Sequence, residues 1–180
     1  MKKKKTIIKF LAKFFIAYFA LLSIYSIYLK QTQQKGNVFS CAPITKTVAN
    51  HTKQLALYLG YPSRTEQHSE ELSMKFYVGN IYSGRIVEGC NSISIIILFI
   101  SFIVAFSGSL KATIIFGLLG SSIIYIVNIF RILVLIKLLY IFPKYQVILH
   151  DLLFPAVIYG TIFLLWVVWV NKYSYLKKPK

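Results

Sequence analysis

Apolar residues fall into four long runs, and the polar ones collect between the first and second runs and at both ends. The first run, residues 10–29, has about 20 residues, enough to cross a hydrocarbon core ~30 Å thick as a helix. Lys9 and Lys13 can snorkel to the headgroups. A cleaved signal peptide would have a shorter apolar stretch of ~7–15 residues followed directly by a small-residue cleavage site, so an uncleaved anchor is expected. Further runs cover residues 92–110, 111–131 (with 132–142 still apolar) and 152–170. Trp166, Trp169 and Tyr173 form an aromatic belt near the end of the last. The link Ser107-Gly108-Ser109-Leu110-Lys111 is short and predicts a tight antiparallel hairpin of the second and third runs. Gly117 and Ser121 are small enough to let another helix approach.

Residues 30–89 are the sizeable polar region. Ile44, Val48, Leu55 and Leu59 share one face of a helical pattern, which predicts a helix lying on the membrane surface and ended by Gly60-Tyr61-Pro62. Two strand-like runs, 74–78 and 81–87, meet at the turn pair Gly79-Asn80 and predict a hairpin. The expected fold is an all-α membrane protein. It is a small bundle of about four transmembrane helices, with an extracytoplasmic loop carrying an interfacial helix and a small hairpin. The domain boundaries are a basic tail at 1–9, a first span at 10–29, the loop at 30–89, a core of three spans at 90–170 and a basic tail at 171–180.

Charge adds orientation. Among 180 residues, 21 Lys and Arg face only 5 Asp and Glu, a formal net charge of +16 with 57% hydrophobic residues. No helix-turn-helix or RNA-binding signature accompanies this basicity, so it reads as membrane topology and not as nucleic-acid binding. Lys2 to Lys5 and Lys9 precede the first span, and Lys172, Lys177, Lys178 and Lys180 follow the last. With an even number of spans both termini share a side, and the positive-inside rule makes that side the cytoplasm. The chain is thus expected to be a multi-pass protein of the cytoplasmic (inner) membrane, with the bilayer as its first partner. His51, His68, Glu66, Glu70 and Glu71 lack the spacing of a metal motif, so neither metal nor other cofactor is expected.

That topology carries Cys90, Arg131 and His150 to the outer face. Cys90 directly precedes the second span and His150 the fourth, while Arg131 lies 20 residues beyond Lys111, or ~30 Å up a helix. The chemistry of the trio is coherent. An imidazole or fixed cation lowers a thiol's pKa, a histidine can carry the thiol proton to a leaving amine, and a guanidinium stabilises thiolate or oxyanion. Ser121, Tyr125 and Asn128 share a helical face with Arg131 and could form a polar wall, with Asp151 orienting its neighbours. Each of the three also has a bland reading. Arg131 could anchor headgroups, His150 could cap a helix, and Cys90 could be a packing residue or half of a bridge to Cys41.

At Glu88-Gly89-Cys90-Asn91-Ser92-Ile93-Ser94 the chain resembles the exosortase/archaeosortase family, most closely its exosortase F branch. The resemblance continues through Asn128-Ile129-Phe130-Arg131 and His150-Asp151, in the family's order of Cys, Arg and His, over roughly residues 87–169. It implies a polytopic cysteine peptidase or transpeptidase, with Cys90 as nucleophile, His150 as acid and base and Arg131 as electrostatic stabiliser. Asn91, Tyr125, Asn128 and Asp151 would support them. The implied partners are exported proteins with a carboxy-terminal sorting tail, cleaved outside the cytoplasm through an acyl-enzyme. The chain departs from the family twice: Ser92 stands where many members have Gly, and about four spans replace about eight. The second departure suggests a minimal core or reliance on a small partner membrane protein. The alternative is a non-enzymatic membrane assembly subunit or envelope scaffold. A thiol-redox protein using Cys41 and Cys90 is a further rival.

Overall fold

The structure is a computed structural model that describes residues 2–36, 38–106 and 108–174; the side chains of residues 2–4, 143, 146, 150, 153 and 154 lie outside the description. The chain is mainly helical. α1 spans Lys2–Thr32, α2 Pro43–Tyr58, α3 Ile93–Ala105 and α4 Leu110–Ile141. A short turn α5 (Gln146–Ile148) and a π-helical turn (Leu149–Leu153) lead to α6, Phe154–Lys172. Strands β1 (Ser63–Gln67), β2 (Ser73–Val78) and β3 (Ile81–Val87) form an antiparallel sheet in that order. Two compact units result: residues 1–27, 93–124 and 159–180 make the first, and 28–92 with 125–158 the second.

In the first unit, aromatic side chains do most of the packing. Phe99 is fully buried, and a Cβ on Gly120 would sit 2.3 Å from its ring, so only glycine lets the ring approach α4 there. Trp169 is also fully buried and donates its indole N–H to the Phe106 carbonyl at 3.0 Å. Gly108 lies under the same indole, where a Cβ would come within 2.9 Å of both ring and Tyr173 carbonyl.

The second unit is an α2–sheet assembly closed by the later part of α4. Pro43 occupies the first turn of α2, where its missing N–H costs nothing. The helix ends in a Schellman arrangement, with Tyr61 N–H to the Ala56 carbonyl (2.9 Å), Gly60 N–H to the Leu57 carbonyl (3.0 Å), and Gly60 at φ +82°. Its buried face is Thr45, Val48, Ala49, Thr52 and Ala56. These small side chains bring the backbone close to the sheet, where Met74, Phe76 and Ile86 meet Ile129, Ile132, Leu133 and Ile136 of α4 in one core. Gln67, at the end of β1, accepts the Cys41 backbone N–H at 2.9 Å and donates to the Ser73 carbonyl at 3.1 Å. It thereby ties the segment before α2 to the sheet.

Three points correct the sequence expectation. First, among the described residues three helices are long and apolar enough to cross a membrane: residues 5–32, α4 and residues 155–172. The second apolar run yields α3 of 13 residues, ~20 Å, because the chain leaves the helix at Phe106 and Gly108 pairs in a β-bridge with Ser174. Second, the run expected to end near Arg131 continues as a single helix of 32 residues, ~48 Å. Third, the fold is not all-α. The hairpin is present with its turn at Gly79-Asn80, but β1 extends it to three strands, and the α2 helix expected on the membrane surface packs its buried face on that sheet.

Candidate functional site

The segment after β3 is held on both sides. A 3₁₀ turn, Glu88–Cys90, ends the strand. Asn91, 1% exposed, reaches back with its side-chain amide to Thr45 Oγ1 of α2 (3.2 Å) and to Glu88 Oε1 (3.1 Å). From α4, Asn128, also 1% exposed, donates its amide to the Cys90 carbonyl at 2.7 Å. The backbone at Cys90 is thus fixed by two buried amides before its side chain contacts anything. The next residue, Ser92, is buried and has φ +65°, the one non-glycine positive φ among the described residues. Its hydroxyl donates to the Asn91 carbonyl at 2.6 Å.

Arg131 follows Asn128 by one helical turn and so shares its face of α4. Arg131 and Cys90 line a common groove of about 940 Å³, walled by β3 on one side and Ile132, Leu135, Ile136, Leu139 and Tyr140 of α4 on the other. The Arg131 Nε is buried and has no hydrogen-bond partner among the described residues. Arg85, also in the groove, is engaged by Glu71. A permanent cation lining the same groove as a thiol can offset charge developing on a carbonyl oxygen under attack there.

The remaining predicted residues are distributed differently. Tyr125 does not face the groove; its hydroxyl meets His51 Nδ1 of α2 at 2.8 Å, ring edge to face. His51 and Thr45 are thus partners that the chain-order pattern did not single out, because their role depends on α2 docking beside α4. Asp151 is exposed on the π-helical turn. The His150 side chain lies outside the described residues, so the third member of the trio has a backbone position on that turn only. Cys41 and Cys90 are both free thiols in this structure. Cys41 is buried, and desolvation pushes its thiol above the ordinary value, with a weaker opposing effect from Gln67. Among the described residues no three His, Cys, Asp or Glu side chains gather as metal ligands.

Comparison with protein families, with characterised proteins and with solved structures finds no match. The functional reading therefore stands on the residues themselves.

Proposed function

We propose that this chain is a membrane-embedded cysteine peptidase or transpeptidase of the exosortase type, acting on the carboxy-terminal tail of exported proteins at the outer face of the cytoplasmic membrane. The observation that carries the reading is the groove shared by Cys90 and Arg131, with the Cys90 backbone clamped by Asn128. Ser92 adds support. It stands where many exosortases have glycine, and it adopts the left-handed conformation that glycine favours, at a cost of roughly 1–2 kcal/mol for an L side chain. The departure in sequence keeps the backbone shape that glycine would allow.

The membrane setting is also favourable. α4 is longer than the hydrocarbon core by ~18 Å, and its later part packs against a sheet whose open edge cannot lie among lipid tails. Both features favour a groove at or beyond the headgroups, where a substrate anchored by an apolar tail would present its last polar residues.

In the proposed reaction the Cys90 thiolate attacks the scissile carbonyl, and Arg131 offsets the oxyanion. The C–N bond breaks, the amine leaves with a proton from the His150 imidazolium, and a thioester remains. Water or an acceptor amine then attacks the thioester, giving its proton to the imidazole and releasing Cys90. Cys90→Ala in the full chain should abolish tail processing of a cognate exported protein, while Cys41→Ala leaves it intact. Normal processing by Cys90→Ala would end the proposal and leave the assembly-subunit reading.

A further inference from the structure

The groove has a property that nucleophile chemistry does not require: one whole wall is a strand edge. β3 is the last strand of the sheet, paired with β2 on one side, and all seven of its residues line the groove that ends at Cys90 and Arg131. A terminal strand directs alternate backbone N–H and C=O groups away from its sheet, ready to pair with another extended segment. The opposite wall is apolar, built by Ile132, Leu135, Ile136 and Leu139. Among the described residues the ionisable groups of the lining are Tyr82, Arg85, Cys90, Arg131 and Tyr140, two arginines with no acid. A flexible acyl chain would use the apolar wall but leave the strand edge unpaired. A folded helix would bring no free backbone groups to it.

We infer that the groove takes an extended, non-basic peptide segment as a fourth strand on β3, apolar side chains alternately against α4 and one end of the segment at Cys90. The seven residues of β3 span ~23 Å, which matches a peptide of about seven residues. Backbone pairing supplies affinity and alternate side chains supply selection, as in strand-addition recognition generally. A carbonyl oxygen or acidic side chain near the end of the segment would meet the buried Nε of Arg131. As a substrate mode this rests on the peptidase reading; as a binding mode it does not.

The test uses the full-length Cys90→Ala chain in phosphatidylcholine nanodiscs, so that binding is read without cleavage. The probe is a fluorescent eight-residue peptide of alternating Val and Thr, with one Asp near its end and one photoreactive benzoylphenylalanine. Two further versions are N-methylated at the odd or at the even residues. A strand uses only alternate N–H groups to pair with one neighbour, so one methylated version should bind like the parent and the other at least about tenfold more weakly. Cross-links should fall on β3 or on the wall residues of α4. Equal affinity of both methylated versions, no saturable binding, or cross-links elsewhere would overturn the inference. So would displacement of the probe by phosphatidylglycerol together with labelling of the groove by a photoreactive form of that lipid, which would make the occupant a lipid. Peptide binding alongside normal tail processing by Cys90→Ala would sink the enzyme and keep the docking site. Failed binding with Cys90-dependent processing would do the reverse.

Discussion

The Cys90 backbone is held by a side chain from another element of the chain. Asn128 lies 38 residues away, and its bond to the Cys90 carbonyl exists only because α4 docks beside the strand that ends there. Asn128→Ala would leave that carbonyl without its buried donor and should cost about 1–3 kcal/mol, seen as a lower thermal midpoint in detergent, together with slower processing. Ser92 offers a sharper experiment. Ser92→Gly should keep stability within about 1 kcal/mol and retain activity, because glycine accepts φ +65° without a Cβ clash. Ser92→Val should lose more than about 1 kcal/mol, since a β-branched side chain is strained at positive φ. The two thiols should also differ. Cys41 is 1% exposed and its thiol is raised above 9.0, so near neutral pH a maleimide should modify Cys90 alone. The same shift has a stability consequence. The folded protein keeps a proton that the unfolded chain loses above about 9, so Cys41 contributes fully below that pH, and its contribution fades as pH rises through the folded value. Chemical denaturation of wild type and Cys41→Ala across that range reads the difference.

Among elements, α1, the later part of α6 and the β2–β3 hairpin followed directly from hydropathy and turn residues. β1 did not, because Ser63-Arg64-Thr65-Glu66-Gln67 has no apolar alternation; it is an edge strand recruited by pairing with β2. The face of α2 was legible only in part. Val48 of the expected stripe is buried and Leu55 packs against the core, but Leu59 is exposed, and the other buried positions are Thr and Ala, whose value is closeness and not bulk. Length was the third failure: an apolar run of 19 residues was read as a span, whereas the helix stops at Ala105. A packing prediction belongs here as well. Gly120→Ala on α4 places a methyl inside the Phe99 ring, which is fully buried and has nowhere to turn. Overpacking of this kind should cost about 1–3 kcal/mol in thermal or denaturant unfolding.

For the molecule as a whole, the described residues hold three membrane-length helices and one short apolar one, so counting spans no longer fixes which side each terminus faces. The proposed function needs the sheet, the groove and Cys90 outside the cytoplasm. Tyr58 is exposed at the end of α2, so Tyr58→Cys in a chain otherwise without cysteine should react with a membrane-impermeant maleimide added outside spheroplasts. Lys172→Cys, at the end of the last membrane-length helix, should react only after the membrane is opened. The reverse pattern would put the groove in the cytoplasm, away from any exported protein. Hydropathy alone cannot give this answer, because the polar region between the first two runs is itself basic and weakens the charge asymmetry on which orientation depends.

Both tryptophans of the chain belong to the first unit, where Trp166 stacks on Phe102 at 4.1 Å and Trp169 lies over Phe116 at 5.2 Å. Indole emission during heating will therefore register the loosening of that aromatic stack and stay silent about the groove. Damage to the Cys90 neighbourhood can pass unseen in such a melt, so optical screening of variants there calls for tyrosine ellipticity or an indole introduced on β3.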